Sequence, residues 1–238
     1  MDLPLANALG LAIFIALAGI LGGTAFVMVR RDRRAKAMLR RFALERGLEY
    51  TETGRHGSQA ARSMLRDDDS GLQIVITQPL TRKSGSSTVT KGGSTQLSLP
   101  DPRLDGGLAI YSTRAASGVA AAASGLLGMF DNALSRRVLS HLIGDEIGAH
   151  LGALQAFEPQ DGSMVTIMAS VDPTRHFDTA AIAEAIHTLP KPRHRSGMAP
   201  MILIGNQGTK IRLGEPEMDP GRLATLIDTA RTLQSQLR

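Results

Sequence analysis

The chain has 238 residues, no cysteine and a formal net charge of +5. The lack of cysteine excludes disulfides, thiolate metal sites and cysteine nucleophiles. With two Tyr, six Phe and no Trp, the chain has few of the rings on which bases and sugars stack. Binding of nucleic acid or carbohydrate is therefore not predicted.

The excess positive charge lies in one short segment. Eight Lys or Arg residues occur between residues 30 and 46, whereas acidic and basic residues are equal in number from residue 47 onward. A nucleic-acid-binding domain carries its basic surface on its own fold. The charge distribution instead indicates a local contact with an anionic surface next to the apolar amino-terminal segment.

Residues 3–29 contain no charged side chain, and about 20 apolar residues suffice to cross a bilayer as a helix. A cleaved signal peptide would need basic residues before the apolar run, where only Asp2 is charged. We therefore predict a transmembrane anchor over 1–29. Because Lys and Arg beside a span favour the cytoplasmic side, the amino terminus is predicted to lie outside. The predicted localisation is the cell membrane, single-pass, with a cytoplasmic carboxyl-terminal domain.

Within this apolar run, Gly19 and Gly23 form a GxxxG pair. Small residues at this spacing let two membrane helices pack closely. The pair predicts a helix-packing face for a second copy or for another membrane protein. The alternative is that both glycines are ordinary residues of an apolar helix.

The basic segment over 30–47 is predicted to form a juxtamembrane helix that ends at Gly47, a residue type that commonly stops helices. Its cations would contact anionic lipid head groups, at about 1 kcal/mol per basic residue near the surface. The alternative is a topology signal on a helix that also packs on the domain. The predicted lipid-contacting residues are Arg30, Arg31, Arg33, Arg34, Lys36, Arg40 and Arg41.

Residues 48–238 are predicted to form one cytoplasmic α+β domain, with a mainly antiparallel sheet flanked by helices. Period-two apolar patterns predict strands at 48–53, 72–80 and 163–171, with two more in the segments QLSLP and LAIYS. Helices are predicted at 57–65, after Asp172 or Thr174, and after Asp219. A hairpin is predicted around residues 206–208. The uncharged segment 115–130 is short for a span, and is predicted to be a buried helix or a segment resting on the bilayer.

Motifs for catalysis or metal binding are weak. The triple Asp67-Asp68-Asp69 fits a solvated turn better than a metal site. HExxH, GxSxG and phosphate-binding glycine motifs do not occur, so no cofactor is predicted. An enzyme, such as a hydrolase, would need residues that converge only in the fold. His141, Asp145 and His150 are the candidates for that role.

Two functions are therefore compared. The favoured one is a membrane-anchored, non-enzymatic interaction or scaffold module that binds a protein partner or lipid head groups. The alternative is a membrane-bound enzyme with an unrecognised active site. A cleft around the two histidines would favour the enzyme, and a smooth sheet-and-helix body would favour the interaction module.

Overall fold

The structure is a computed structural model that describes residues 23, 26–27, 29–57, 59–84, 87–113, 153–157, 165–193 and 198–237. It contains helix α1 over residues 29–45, helix α2 over Thr179–Thr188 and helix α3 over Pro220–Gln236, with a short 3-10 helix at Pro173–Arg175. Its strands are β1 (Glu49–Thr53), β2 (Arg62–Arg66), β3 (Gln73–Thr77), β4 (Leu80–Ser84), β5 (Ser87–Lys91), β6 (Ser94–Leu99), β7 (Ala109–Thr113), β8 (Gln155–Phe157), β9 (Val165–Ala169), β10 (Met201–Gly205) and β11 (Gly208–Leu213).

Nine of these strands form a single sheet in the order β1-β2-β3-β6-β11-β10-β7-β9-β8, and every pair of neighbours is antiparallel. The remaining two strands, β4 and β5, lie between β3 and β6 in the sequence and form a separate two-stranded hairpin. The central pairing joins β6 to β11, a strand from near the carboxyl end of the chain. It unites the amino-terminal and carboxyl-terminal parts of the sheet.

The three helices cover one face of the sheet, and we call it the inner face. Because side chains alternate between the faces of a strand, each strand contributes every second residue to the core. Leu65, Ile74, Leu97, Ile211 and Ile202 are all fully buried on this face, and the strand register places them within one contiguous cluster with the helices. We call the opposite face, formed by the intervening residues, the outer face.

Helices α2 and α3 begin at aspartates that cap them. Asp178 accepts hydrogen bonds from the backbone N–H groups of Ala180 and Ala181, and Asp219 accepts one from Arg222. Pro220 occupies the first turn of α3, where its missing N–H costs nothing. The predicted helix after Asp219 is confirmed. The helix predicted after Asp172 begins later, because Asp172 caps only the 3-10 helix.

The predicted fold class is wrong. The main element of the described chain is one large, nine-stranded antiparallel sheet with few helices, rather than an α+β domain behind a transmembrane helix. In the part of the chain that the structure describes, no helix has both the length and the apolar character needed to cross a bilayer. Most of the predicted transmembrane anchor over 1–29 lies outside the described residues. The single-pass anchor and the cell-membrane localisation that depended on it are withdrawn.

The helix predicted at 57–65 is also wrong, because residues 62–66 form strand β2. Ala, Leu and Met in this segment favour a helix in isolation. In the fold, β2 pairs with β1 and β3 along its whole length. Ser63 and Leu65 are buried between them while Arg62 and Arg66 are exposed. Tertiary pairing therefore overrides local propensity.

Candidate functional site: the cationic segment of helix α1

Helix α1 packs on the domain through one side of its carboxyl-terminal half. Leu39, Phe42 and Ala43 are buried in the main core, at the i, i+3, i+4 spacing of a helix face. Gly47 ends the helix with a φ of 68°. The backbone N–H of Leu48 bonds to the carbonyl of Ala43 at 2.8 Å, and that of Gly47 bonds to Leu44 at 3.2 Å. This is a Schellman-type stop, and the predicted end of the helix is confirmed.

Two of the predicted lipid-contacting residues turn toward β1. Lys36 Nζ lies 2.6 Å from Glu52 Oε1, and Arg40 Nη2 lies 3.0 Å from Glu52 Oε2. The Arg40 guanidinium also lies over the ring of Tyr50, 5.4 Å from its centroid. Lys36 additionally pairs with Asp32 at 3.1 Å. These cations are already neutralised within the protein.

The ionisation of this cluster follows from its contacts. The hydrogen bond from Lys36 is the largest cause that lowers the pKa of Glu52, with a further contribution from Arg40. The same contact with Glu52 raises the pKa of Lys36. Each partner therefore stabilises the charged form of the other. The pair attaches α1 to the edge strand β1.

Two further cations, Arg41 on α1 and Arg46 directly after its end, are also paired. Arg41 contacts Glu45 one turn later at 2.8 Å. Arg46 contacts Asp228 on α3 at 3.1 Å, and its guanidinium lies 5.7 Å from the centroid of the Phe42 ring. The second pair joins the end of α1 to α3. Together with the Glu52 contacts, it attaches the helix to both β1 and α3.

The amino-terminal half of α1 has a different environment. Its four arginines are exposed, and none makes an ion pair or hydrogen bond with any residue that the structure describes. The nearest acid in sequence, Asp32, is engaged by Lys36. We call these four residues the free arginines: Arg30, Arg31, Arg33 and Arg34.

The remaining predicted sites are placed as follows. Gly19 lies outside the described residues, as do His141, Asp145, His150 and the segment 115–130. Gly23 is exposed in a helical position, and a Cβ built on it would have no atom within 4 Å. The helix-packing pair therefore stays a prediction.

The aspartate triplet forms a turn held by its own hydrogen bonds. Asp67 accepts from the backbone N–H groups of Asp69 and Ser70 and, at 2.7 Å, from the Ser70 hydroxyl. The hydroxyl contact is the largest cause that lowers the pKa of Asp67. Within the described ranges, no group of three or more His, Asp or Glu side chains could hold a metal ion. The triplet is thus a capped turn.

Sequence reasoning missed a buried ionic cluster at the start of α3. The carboxylate of Glu217 is fully buried. Its Oε1 accepts from Arg193 Nη2 at 2.6 Å and from the backbone N–H of Asp219 at 2.9 Å, and its Oε2 accepts from Arg222 Nε. The backbone N–H of Glu217 donates to Thr95 Oγ1 at 2.7 Å. The carboxylate of Glu217 joins the loop before β10 to the start of α3, and its backbone N–H joins the same point to strand β6.

The neighbouring Glu215 completes the cluster. Its carboxylate accepts the backbone N–H of Arg193 at 3.1 Å and lies 3.3 Å from Arg222 Nη2. The alternation of acids in GEPEMDP, directly before an arginine in the first helical turn, is the sequence signal for it. A cation is unfavourable at that end of a helix, so Arg222 needs carboxylate partners. The cluster stabilises the fold by joining the loop before β10 to α3.

Comparison with known proteins adds one distant likeness. No protein-family model matches the chain, and no curated protein sequence matches it. Among solved structures, the chain is similar to the crystal structure of the mycobacterial trehalose monomycolate transport factor A, TtfA. The TM-score is 0.42 at 11% identity, over 87% of this chain and 93% of that chain. At this level the likeness supports no conclusion about function.

Proposed function

We propose that this protein is a non-enzymatic interaction module that binds anionic lipid head groups through the free arginines, Arg30, Arg31, Arg33 and Arg34. One observation carries the proposal: α1 divides its cations into two groups. The cations from Lys36 to Arg46 are neutralised by carboxylates of the same chain. The free arginines have no such partner in the described part of the chain.

The spacing of the free arginines supports a surface contact rather than a pocket. Four cations within five consecutive residues are distributed around more than one turn of the helix. A flat array of phosphates can engage such a distribution, whereas a single small anion can contact only part of it. Phe26, Val27 and Val29, which precede them, are exposed apolar residues, in keeping with a lipid partner.

The test uses the full chain and lipid vesicles. At about 1 kcal/mol per basic residue, four arginines contribute about 4 kcal/mol, or about a thousandfold in affinity. We expect co-sedimentation with vesicles that contain phosphatidylserine, and little with vesicles of phosphatidylcholine alone. Binding should weaken as salt is raised, since exposed charges are screened over about 8 Å at physiological ionic strength. The variant R30Q/R31Q/R33Q/R34Q should lose most of this binding.

A matched control removes the same amount of charge elsewhere. Each arginine of the variant R66Q/R103Q/R175Q/R231Q is exposed and paired with an aspartate in the native protein. It should bind the vesicles as the unchanged protein does. Equal loss in both variants would mean that net charge alone drives binding, and would refute a specific role for α1. Vesicle binding unaffected by the α1 changes would refute the role of the free arginines and place the lipid contact elsewhere, whereas no binding to either kind of vesicle would favour a protein partner.

A further inference from the structure

The outer face of the sheet has a polar half and an apolar half that meet between β11 and β10. Cross-strand rows follow from the register: Gln96 of β6 faces Arg212 of β11, and Arg212 faces Met201 of β10. On the β10 side, Met201 and Leu203 belong to a small buried apolar cluster. On the β6 side, the outer-face residues are half-buried and polar, such as Gln96 and Ser98. Arg212 thus stands at the boundary between the halves.

The charges of the outer face are almost all positive. Strands β2, β3, β6, β11, β10, β7 and β9 contribute no carboxylate to this face. The nearest one in the sheet is Glu49, on the edge strand β1. The cations that the same strands contribute are Arg62, Arg66, Lys210 and Arg212.

Arg212 itself has no counter-charge among the residues that the structure describes. Its Nε is shielded from solvent and has no hydrogen-bond partner among the described residues. Burial also lowers the pKa of this guanidinium, because desolvation disfavours its charged form. Partly buried cations are normally paired, because desolvation without compensation costs free energy. Gln96 lies opposite Arg212 on the neighbouring strand β6. One N–H of its side-chain amide donates to Ser98 Oγ at 3.4 Å, and the amide carries a second N–H.

We propose that a phosphate group, either free or carried by a lipid, binds on the outer face of the sheet against the Arg212 guanidinium, with the Gln96 amide as a second donor. A guanidinium fork matches phosphate oxygens geometrically and makes strong charge-assisted hydrogen bonds. A tetrahedral oxyanion also has acceptors left for the amide. This site lies on the sheet, uses none of the residues of α1, and is independent of the function proposed above.

The test measures phosphate binding to the full chain by calorimetry and thermal unfolding. The probes are inorganic phosphate, dihexanoyl phosphatidic acid (a phosphomonoester), and dihexanoyl phosphatidylcholine, a phosphodiester whose negative charge is balanced by its choline group. Arg212→Gln should weaken binding of the preferred probe about tenfold or more, since a hydrogen bond to a charged group contributes about 1.5–3 kcal/mol. The matched control Arg62→Gln removes an outer-face arginine far from the site and should bind normally. The variant R30Q/R31Q/R33Q/R34Q should also bind the phosphate probes as the unchanged chain does.

A second readout keeps the test valid if a variant alters stability. In phosphate-free buffer, Arg212→Gln should unfold at a higher temperature than the unchanged chain, because it removes an uncompensated cation. Arg212→Lys keeps the charge without the fork and should bind with intermediate affinity. Binding of inorganic phosphate and phosphatidic acid alike indicates that the phosphate group suffices, and binding of phosphatidic acid alone indicates a lipid ligand. The proposal is overturned if no probe binds, or if Arg212→Gln and Arg62→Gln bind equally well.

Discussion

The ionic cluster at the start of α3 and the amino-terminal half of α1 both depend on arginine, yet they use it in opposite ways. In the cluster, Arg193 and Arg222 converge on the buried carboxylate of Glu217. On α1, the free arginines reach no described carboxylate. The comparison teaches that the location of the acids, more than the number of basic residues, decides which cations hold the fold and which remain for a partner.

The strongest test of this contrast is Glu217→Ala. It removes the acceptor of Arg193 Nη2, of Arg222 Nε and of the backbone N–H of Asp219, and removal of one partner from a buried ion pair costs about 3–5 kcal/mol. We expect the free energy of unfolding in urea to fall by about that amount. Glu184→Ala, an exposed acid on α2, should change it by less than about 0.5 kcal/mol. A similar small effect at residue 217 would show that the cluster is not structural.

A second test addresses the packing of α1 against the core of the domain. Leu39 is fully buried, and Leu→Ala in a core costs about 2–5 kcal/mol. We expect about 3 kcal/mol for Leu39→Ala in the same urea assay. Met38→Ala, at the exposed neighbouring position on the helix, is the matched control and should be almost neutral. If both changes had equal effects, α1 would not be docked as described.

The third test is the pH dependence of the Glu52 contact. Folding lowers the pKa of Glu52 below its ordinary value of 4.5, mainly through Lys36. The contact therefore contributes stability above that value, and the contribution is lost as pH falls through the lowered pKa. We expect Glu52→Gln to cost up to about 1 kcal/mol at neutral pH. In urea titrations at a series of pH values, this cost should shrink below pH 4.5. A pH-independent difference would contradict the ionic character of the contact.

The smallest expected effect concerns the free arginines. The variant R30Q/R31Q/R33Q/R34Q should unfold within about 0.5 kcal/mol of the unchanged chain, because exposed side chains without partners contribute little to stability. Far-UV circular dichroism should also be unchanged. A large loss of stability would mean that these arginines have structural partners. It would contradict the proposed difference between them and the arginines of the Glu217 cluster.

Parts of the fold were predictable because local chemistry decides them. The hairpin of β10 and β11 turns at Asn206 and Gln207, with Gly208 at a φ of 106°. There a Cβ would approach the carbonyl oxygen of Leu99 too closely. Turn residues between two apolar runs predict such a hairpin. Strand β2 was not predictable, because its conformation depends on partners on both sides.

The candidate site was predictable only as a run of basic residues. Sequence spacing cannot tell that Lys36 and Arg40 face Glu52, since that contact requires β1 to lie beside α1. Arg212 gave no signal in the sequence, because its unpaired position depends on its neighbours on two other strands, β6 and β10. Periodicity predicts which face a residue occupies, whereas ion pairing depends on tertiary placement.

The joining of β6 to β11 has a consequence for how the chain folds. Strands β1, β2, β3 and β6 lie early in the sequence and can pair as soon as they are made. They leave the apolar edge strand β6, with Leu97 and Leu99, open until residues 208–213 emerge. Pairing over such a sequence distance slows folding, and an open strand edge invites aggregation in the meantime. The nascent chain therefore has a vulnerable interval during synthesis, which ends only when its last hairpin is in place.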